Sequence, residues 1–147
     1  MLTITSSAFA HNALIPPQYT CDGADIIPPL SFADIPADAR SLVLIMDDPD
    51  APRGIWDHWV VFNIPPQTAG VEEGRAPHGT AGIGTSGQST YMGPCPGVGE
   101  HHYVFTLYAL DTDLSLPAGV TKNEVLAALH GHVLEQATLI GRFARKR

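Results

Sequence analysis

"SLVLIMDDPDAPRGIWDHWVVFNI" runs from Ser41 to Ile64. Its two ends, Ser41–Met46 and His58–Ile64, are apolar runs rich in β-branched and aromatic residues, with apolar side chains on both parities. That pattern predicts two β-strands covered on both faces, as at the centre of a sandwich or under helices. The connection between them holds four aspartates, an arginine, Pro49 and Pro52. The prolines fix the path of the loop, and either could be cis.

Working outward, "HYVFTLYAL" (102–110) predicts a third strand of the same kind, and "LTITS" (2–6) a shorter one. "TKNEVLAAL" (121–129) predicts a helix, with Thr121 and Glu124 as a capping box and Val125, Leu126 and Leu129 as its apolar stripe. Gly131 stops or bends it. In "HVLEQATLIGRF" (132–143) the first half reads as helical and "ATLIGRF" as a closing strand. The segment from Gly74 to Gly99 reads as loop. Its literal G-x-G-x-x-G, Gly82 to Gly87, follows no strand and precedes two prolines, so it predicts no nucleotide site.

The chain has 147 residues, of which 44% are hydrophobic and 16% charged, with 14 glycines and 13 prolines. This suits one β-rich domain with many turns. A net charge of −7 argues against binding to nucleic acid or an anionic membrane. There is no secretion-signal pattern and no eighteen-residue apolar run, which predicts a cytoplasmic protein without membrane insertion. In that compartment Cys21 and Cys95 are expected as reduced, packed thiols.

Asp48 and Asp50 follow the first central strand, and His58 opens the second. Antiparallel pairing puts both at one end of the sheet. His101 and Tyr103 open the third strand on one face, with His102 on the other. Two carboxylates, two histidines and a phenol can therefore converge at one mouth. Singly, each has a structural reading: an aspartate as turn former, a histidine satisfied in the core, a tyrosine tied to backbone. Trp56 and Trp59 read as packing residues that wall a pocket.

Together, "YTCDGADIIPPLSF" (19–32), "DDPDAPRGIWDHWVVFNI" (47–64) and "YMGPCPGVGEHHYVFTLYALD" (91–111) resemble the signature blocks of the phosphatidylethanolamine-binding protein family. The compact length and "GHVLEQATLIGRF" are similar to its bacterial Raf-kinase-inhibitor-like branch, the YbhB/YbcL type. The resemblance implies an antiparallel β-sandwich with Greek-key character and a few short peripheral helices. It also implies a small surface pocket for phosphate-like or carboxylate-like anions. The matching positions are Asp48, Asp50, His58, His101 and Tyr103, with Tyr91, Gly93 and Pro94 as the adjoining wall and Pro52 and Trp56 as the rim. Departures from the family pattern are Ile27 in place of a serine, Phe32 in place of a tryptophan, and His102 in place of an arginine.

A histidine beside carboxylates tends to be held protonated and can donate to an anion oxygen. The Tyr103 hydroxyl and a backbone N–H near Gly93 offer neutral donors. The aspartates would repel a phosphate, so they are expected to orient histidines or meet an ammonium group. Three functions compete. The first is a binding protein, not an enzyme, that acts through a kinase or protease partner, with a homodimer as a further expectation. The second is a hydrolase using Asp48, His58 and a water. The third is a metal protein using His58, His101 and an aspartate, against which stands the absence of metal-ligand spacing. No cofactor is implied.

Overall fold

A computed structural model describes residues 1–146. The strands are β1 (Thr3–Thr5), β2 (Leu30–Ala33), β3 (Ser41–Asp48), β4 (Trp56–Ile64), β5 (Gly70–Val71), β6 (Thr80–Ala81), β7 (His101–Leu110) and β8 (Val133–Phe143). A helix, α1 (Lys122–Leu129), and a 3-10 turn at Pro17–Tyr19 complete the regular structure. Two antiparallel sheets result, ordered β1-β2-β5 and β6-β4-β3-β7-β8. The peptide bonds at Pro49 and Pro52 are trans.

The apolar runs at 41–46, 58–64 and 102–110 become the centre of the larger sheet because each can be covered on both sides. Leu42, Leu44 and Met46 of β3 face the smaller sheet, joining Ile4, Leu30, Phe32, Phe105 and Leu107. Val43 and Ile45 face the other way, joining Val60, Phe62, Val125 and Leu129 under α1. Leu42, Leu44 and Met46 are fully buried, each contributing about 1.5–3 kcal/mol of apolar burial. The helix starts where its capping box predicts: Thr121 accepts from the Glu124 N–H, and Glu124 accepts from the Thr121 N–H.

The reading of residues 132–143 needs correction. All of Val133–Phe143 is strand, paired with β7 from Leu110↔Val133 to His101↔Phe143. "VLEQ" favours helix locally, but the exposed edge of β7 supplies partners along its whole length, and pairing overrides the weak local preference. The thiol expectation also fails. Cys21 and Cys95 form a disulfide that closes a chain separation of 74 residues. The apparent G-x-G-x-x-G is no anion cradle: the N–H groups of Gly82, Ile83 and Thr85 are used by the carbonyls of Val60, Val120 and Asp57.

One irregularity positions the site. β3 and β4 pair as Met46↔Trp59 and then as Asp47↔Asp57, so His58 is the extra residue of a β-bulge. Strict alternation from Val61 and Trp59 would send Asp57 toward the inter-sheet side and His58 toward α1. The bulge reverses this parity. His58 joins the side that carries Asp48, and Asp57 joins the side that carries Asp47.

Candidate functional site

The end of the larger sheet where β3, β4 and β7 meet carries a cavity of about 280 Å³. Asp48, His58, His101 and Tyr103 form its floor, Pro52 and Trp56 its rim, and Met92, Gly93, Cys95, Pro96 and Gly97 much of its wall. All four floor residues are buried.

Asp48 is the organiser. One carboxylate oxygen accepts from the Asp50 N–H at 2.8 Å, which shapes the turn after β3. The other contacts His101 Nδ1 at 2.7 Å. The carboxylate is an acceptor, so it keeps a proton on Nδ1 and leaves Nε2 of His101 without a protein partner. His58 is held the same way by a different group. Its Nδ1 lies 2.7 Å from the Met92 carbonyl, which can only accept, so Nδ1 carries the proton. Between them lies Tyr103, edge-on to His58 with centroids 5.3 Å apart and stacked on His101 at 6.4 Å. Its hydroxyl is buried and makes no well-aligned hydrogen bond. The Asp48 carboxylate and the Cys95 N–H stand close enough for loose hydrogen bonds to it.

The electrostatics correct one expectation. His58 is not held protonated: burial pushes its pKa below the ordinary 6.5, outweighing the Met92 carbonyl and the attraction of Asp48, Asp25 and Asp47. Burial, with Asp48 beside it, pushes the Tyr103 phenol well above its usual 10, so it stays a donor.

Not every position carried over from the resemblance reaches the cavity. Asp50 is exposed and turns away to His102, 2.6 Å from its Nδ1 and 2.8 Å from its backbone N–H. The pair lowers the Asp50 pKa. Thus the substituted His102 serves a surface ion pair on the face opposite His101. Tyr91 is a packing residue, edge-on to Trp59 and bonded through its hydroxyl to the Tyr19 carbonyl at 2.8 Å. Pro94 is buried behind the wall, where its carbonyl accepts from the Cys21 N–H. Gly93 does line the cavity, but its N–H is not a free donor, because it already bonds the Asp25 carboxylate.

Asp25 is the contribution that the sequence reading missed. A Cβ on Gly93 would collide with Asp25 Oδ1 and the Tyr19 carbonyl, so only glycine permits this closure. Burial raises the Asp25 pKa, against the pull of the Gly93 N–H and His58. The Cys21–Cys95 bond fastens the same wall from outside. Nothing in "CDGAD" beyond its turn chemistry points to this role. Of the departures, Ile27 packs against the core and Phe32 lies within it.

A family model described as phosphatidylethanolamine-binding protein matches residues 5–144. The chain belongs to this family. A UPF0098 protein of Methanothermobacter thermautotrophicus is 51% identical over 98% of this chain and 99% of that one. A protein called putative lipoprotein LppC, from Mycobacterium tuberculosis, is 43% identical over 97% of this chain and 72% of its own length. Among solved structures, a phosphatidylethanolamine-binding protein homologue of Chlamydia trachomatis, CT736, superposes with a TM-score of 0.96 at 42% identity, covering 99% of this chain and 98% of that one. YbcL of E. coli, at 24% identity and a TM-score of 0.90 over 99% of both chains, shares the fold. Within the family's two-sheet frame, this chain has no described helix long and apolar enough to cross a membrane.

Proposed function

We propose that the protein is a non-enzymatic binding protein whose cavity takes a small phosphate-like or carboxylate-like anion. One observation carries this reading: the buried Tyr103 hydroxyl makes no well-aligned hydrogen bond, with only loose contacts to Asp48 and Cys95, and lies on the cavity floor between two histidines whose Nε2 atoms are unused. A buried hydroxyl left without a good partner costs up to about 1–3 kcal/mol, and a bound oxygen would recover part of it. The cavity fits a head group rather than a polymer. A phosphorylated ligand and a protein partner such as a kinase or protease, or a second copy of the chain, are compatible in one complex. Ile55, Trp56 and Val98 leave apolar surface exposed beside the mouth.

The second reading, hydrolysis, is favoured by the Asp48–His101 contact, which is how a general base is oriented. It would use His101 rather than the Asp48–His58 pair. The cavity lining offers it no serine or threonine hydroxyl, and Cys95 is bonded. Ester turnover separates the two readings. Among the described residues no three His, Cys, Asp or Glu side chains are arranged to hold a metal.

A cytoplasmic location belongs to the proposal, and the disulfide pulls against it, since such bonds persist mainly in oxidising compartments. Trapping thiols in intact cells with a permeant alkylating agent decides between them: free Cys21 and Cys95 support the cytoplasm. The binding reading is tested by NMR titration with phosphate, phosphorylethanolamine and acetate. Saturable shifts at Asp48, His58 and Tyr103, lost in His58→Ala, are expected. Absence of saturable shifts from all three overturns it.

A further inference from the structure

We infer that Cys95 is a thiol-exchange site: a small thiol adds to it as a mixed disulfide at the cavity mouth, and Cys21 is the resolving thiol that expels it. The exchange itself goes beyond the binding reading above. Its effect on an anion, a covalent closing of the mouth, rests on that reading.

The two sulfurs of the disulfide stand in different surroundings. Cys95 is exposed and lines the cavity, whereas Cys21 is half-buried and does not. The bond therefore leads from the cavity wall away into the loop that carries Cys21. A thiolate attacks a disulfide sulfur in line with the bond that breaks, from the side opposite the leaving sulfur. For Cys95 that side is the mouth, where Gly97, Val98 and Gly99 are also exposed. Around Cys21 the chain folds back on itself. The Thr20 N–H donates to the Pro17 carbonyl and the Gly23 N–H to the Thr20 carbonyl. A Cβ on Gly23 would strike the Pro17 carbonyl, so the turn leaves no space there. Access thus favours Cys95, and exposed disulfides are the labile ones.

The step balances with the thiol alone. The incoming sulfur bonds Cys95 Sγ as the Cys21–Cys95 bond breaks, and Cys21 leaves as the thiolate. Attack by Cys21 on Cys95 Sγ reverses this and releases the small thiol. Attack by a second small thiolate on the outer sulfur of the adduct instead gives two protein thiols and the oxidised small thiol. Cys21 stays within reach because the two loops are tied at other points. The Cys21 N–H donates to the Pro94 carbonyl at 3.1 Å, and the Tyr91 hydroxyl to the Tyr19 carbonyl at 2.8 Å. The Gly93 N–H bonds the Asp25 carboxylate. The native protein therefore carries the adduct transiently, and Cys21 sets its lifetime. While present, a tripeptide thiol on Cys95 competes with an anion for a cavity of about 280 Å³.

The experiment is mass mapping of glutathione adducts. The native protein is incubated with reduced glutathione, quenched with acid at short times and alkylated; Cys21→Ser is incubated with oxidised glutathione. The expected result is an early adduct on Cys95 with Cys21 alkylated in the native protein, and a lasting adduct on Cys95 in Cys21→Ser. Phosphate at about ten times its dissociation constant is expected to slow the native reaction about tenfold, because the bound form is shielded. The Cys95 adduct of Cys21→Ser is expected to bind phosphate at least about tenfold more weakly than the unmodified variant, the loss a blocked mouth produces. Adducts on Cys21 as often as on Cys95, or no adduct on Cys95, would overturn the inference. So would an exchange rate indifferent to phosphate that does bind. If phosphate does not bind at all, the binding reading falls, and the adduct map still decides the exchange site. Should Cys21→Ser fail to fold, the map and the rate in the native protein decide it alone.

Discussion

Asp47 and Asp48 are neighbours in β3, as Asp57 and His58 are in β4, yet they build two different things on opposite faces of one sheet. Toward α1, Lys122 places its ammonium 3.2 Å from Asp47 and 2.7 Å from Asp57. Burial works against the charged lysine, but Asp57 and Asp47 together outweigh it and raise its pKa above 10.5; burial costs Asp47 more than Lys122 returns, so that carboxyl also sits above its ordinary range. Toward the smaller sheet, Asp48 holds His101 and the Met92 carbonyl holds His58, while their second ring nitrogens and the poorly bonded Tyr103 hydroxyl are left over. The first cluster closes its charges on one another, with Asp57 Oδ1 2.7 Å from the ammonium though without a well-aligned hydrogen bond, and the second opens on a cavity. Closure marks a structural ion pair; polar groups left over around a cavity mark a binding site.

The largest expected effect comes from removing the wall of the open side. Cys21→Ser with Cys95→Ser releases a 74-residue separation and is expected to lower stability by about 2–4 kcal/mol in urea unfolding. Phosphate affinity should fall with it, because Cys95 lines the cavity. Full affinity in the double variant would show that Asp25 and Gly93 hold the wall unaided.

On the closed side, Lys122→Met leaves two like charges facing each other. Urea unfolding should show a loss of about 2–3 kcal/mol, below the value for a fully buried pair because both carboxylates keep some solvent contact. Phosphate affinity should stay within about threefold of native, because the cluster lies on the opposite face of the sheet and reaches the floor only through the weak pull of Asp47 on His58. The pH dependence follows from the raised lysine: its contribution is complete below pH 10.5 and disappears as the pH rises through the folded-state value. A binding defect equal to that of His58→Ala would erase the distinction between the two faces.

The smallest effect belongs to Asp50, whose match to the family motif placed it among the ligand groups. Asp50→Asn breaks an exposed pair with His102 and should cost no more than about 1 kcal/mol. Its lowered pKa means that the stabilising contribution exists above the usual carboxylate range and fades as the pH falls through the folded-state value. Phosphate titration should find affinity nearly native; a tenfold loss would return Asp50 to the site.

The central strands were legible because "SLVLIM", "HWVVFNI" and "HYVFTLYAL" are apolar on both parities, a pattern that only a doubly covered sheet satisfies. The placement of His101 and Tyr103 on one face followed from period two alone. The route of His58 to that face did not: a bulge has no compositional signature in "DHWVV", and it depends on how β4 registers against β3. The first half of β8 was hidden by helix-favouring residues. The disulfide was hidden because two cysteines 74 positions apart carry no spacing signal. Tyr91 and Pro94 stand outside the cavity lining, because a motif reports which residues recur together, not which of them face the cavity.

On the proposed binding role, His58 and His101 are both fixed by their Nδ1 protons and offer Nε2 to a ligand. Imidazole ¹⁵N correlation spectra, recorded with and without phosphate, test it directly. The predicted result is a neutral His58 protonated at Nδ1 in the free protein, and phosphate-dependent shifts at Nε2 of His58 and His101 but not at His11, His78, His130 or His132. A His58 protonated at Nε2, or shifts spread equally over all the histidines, would contradict it.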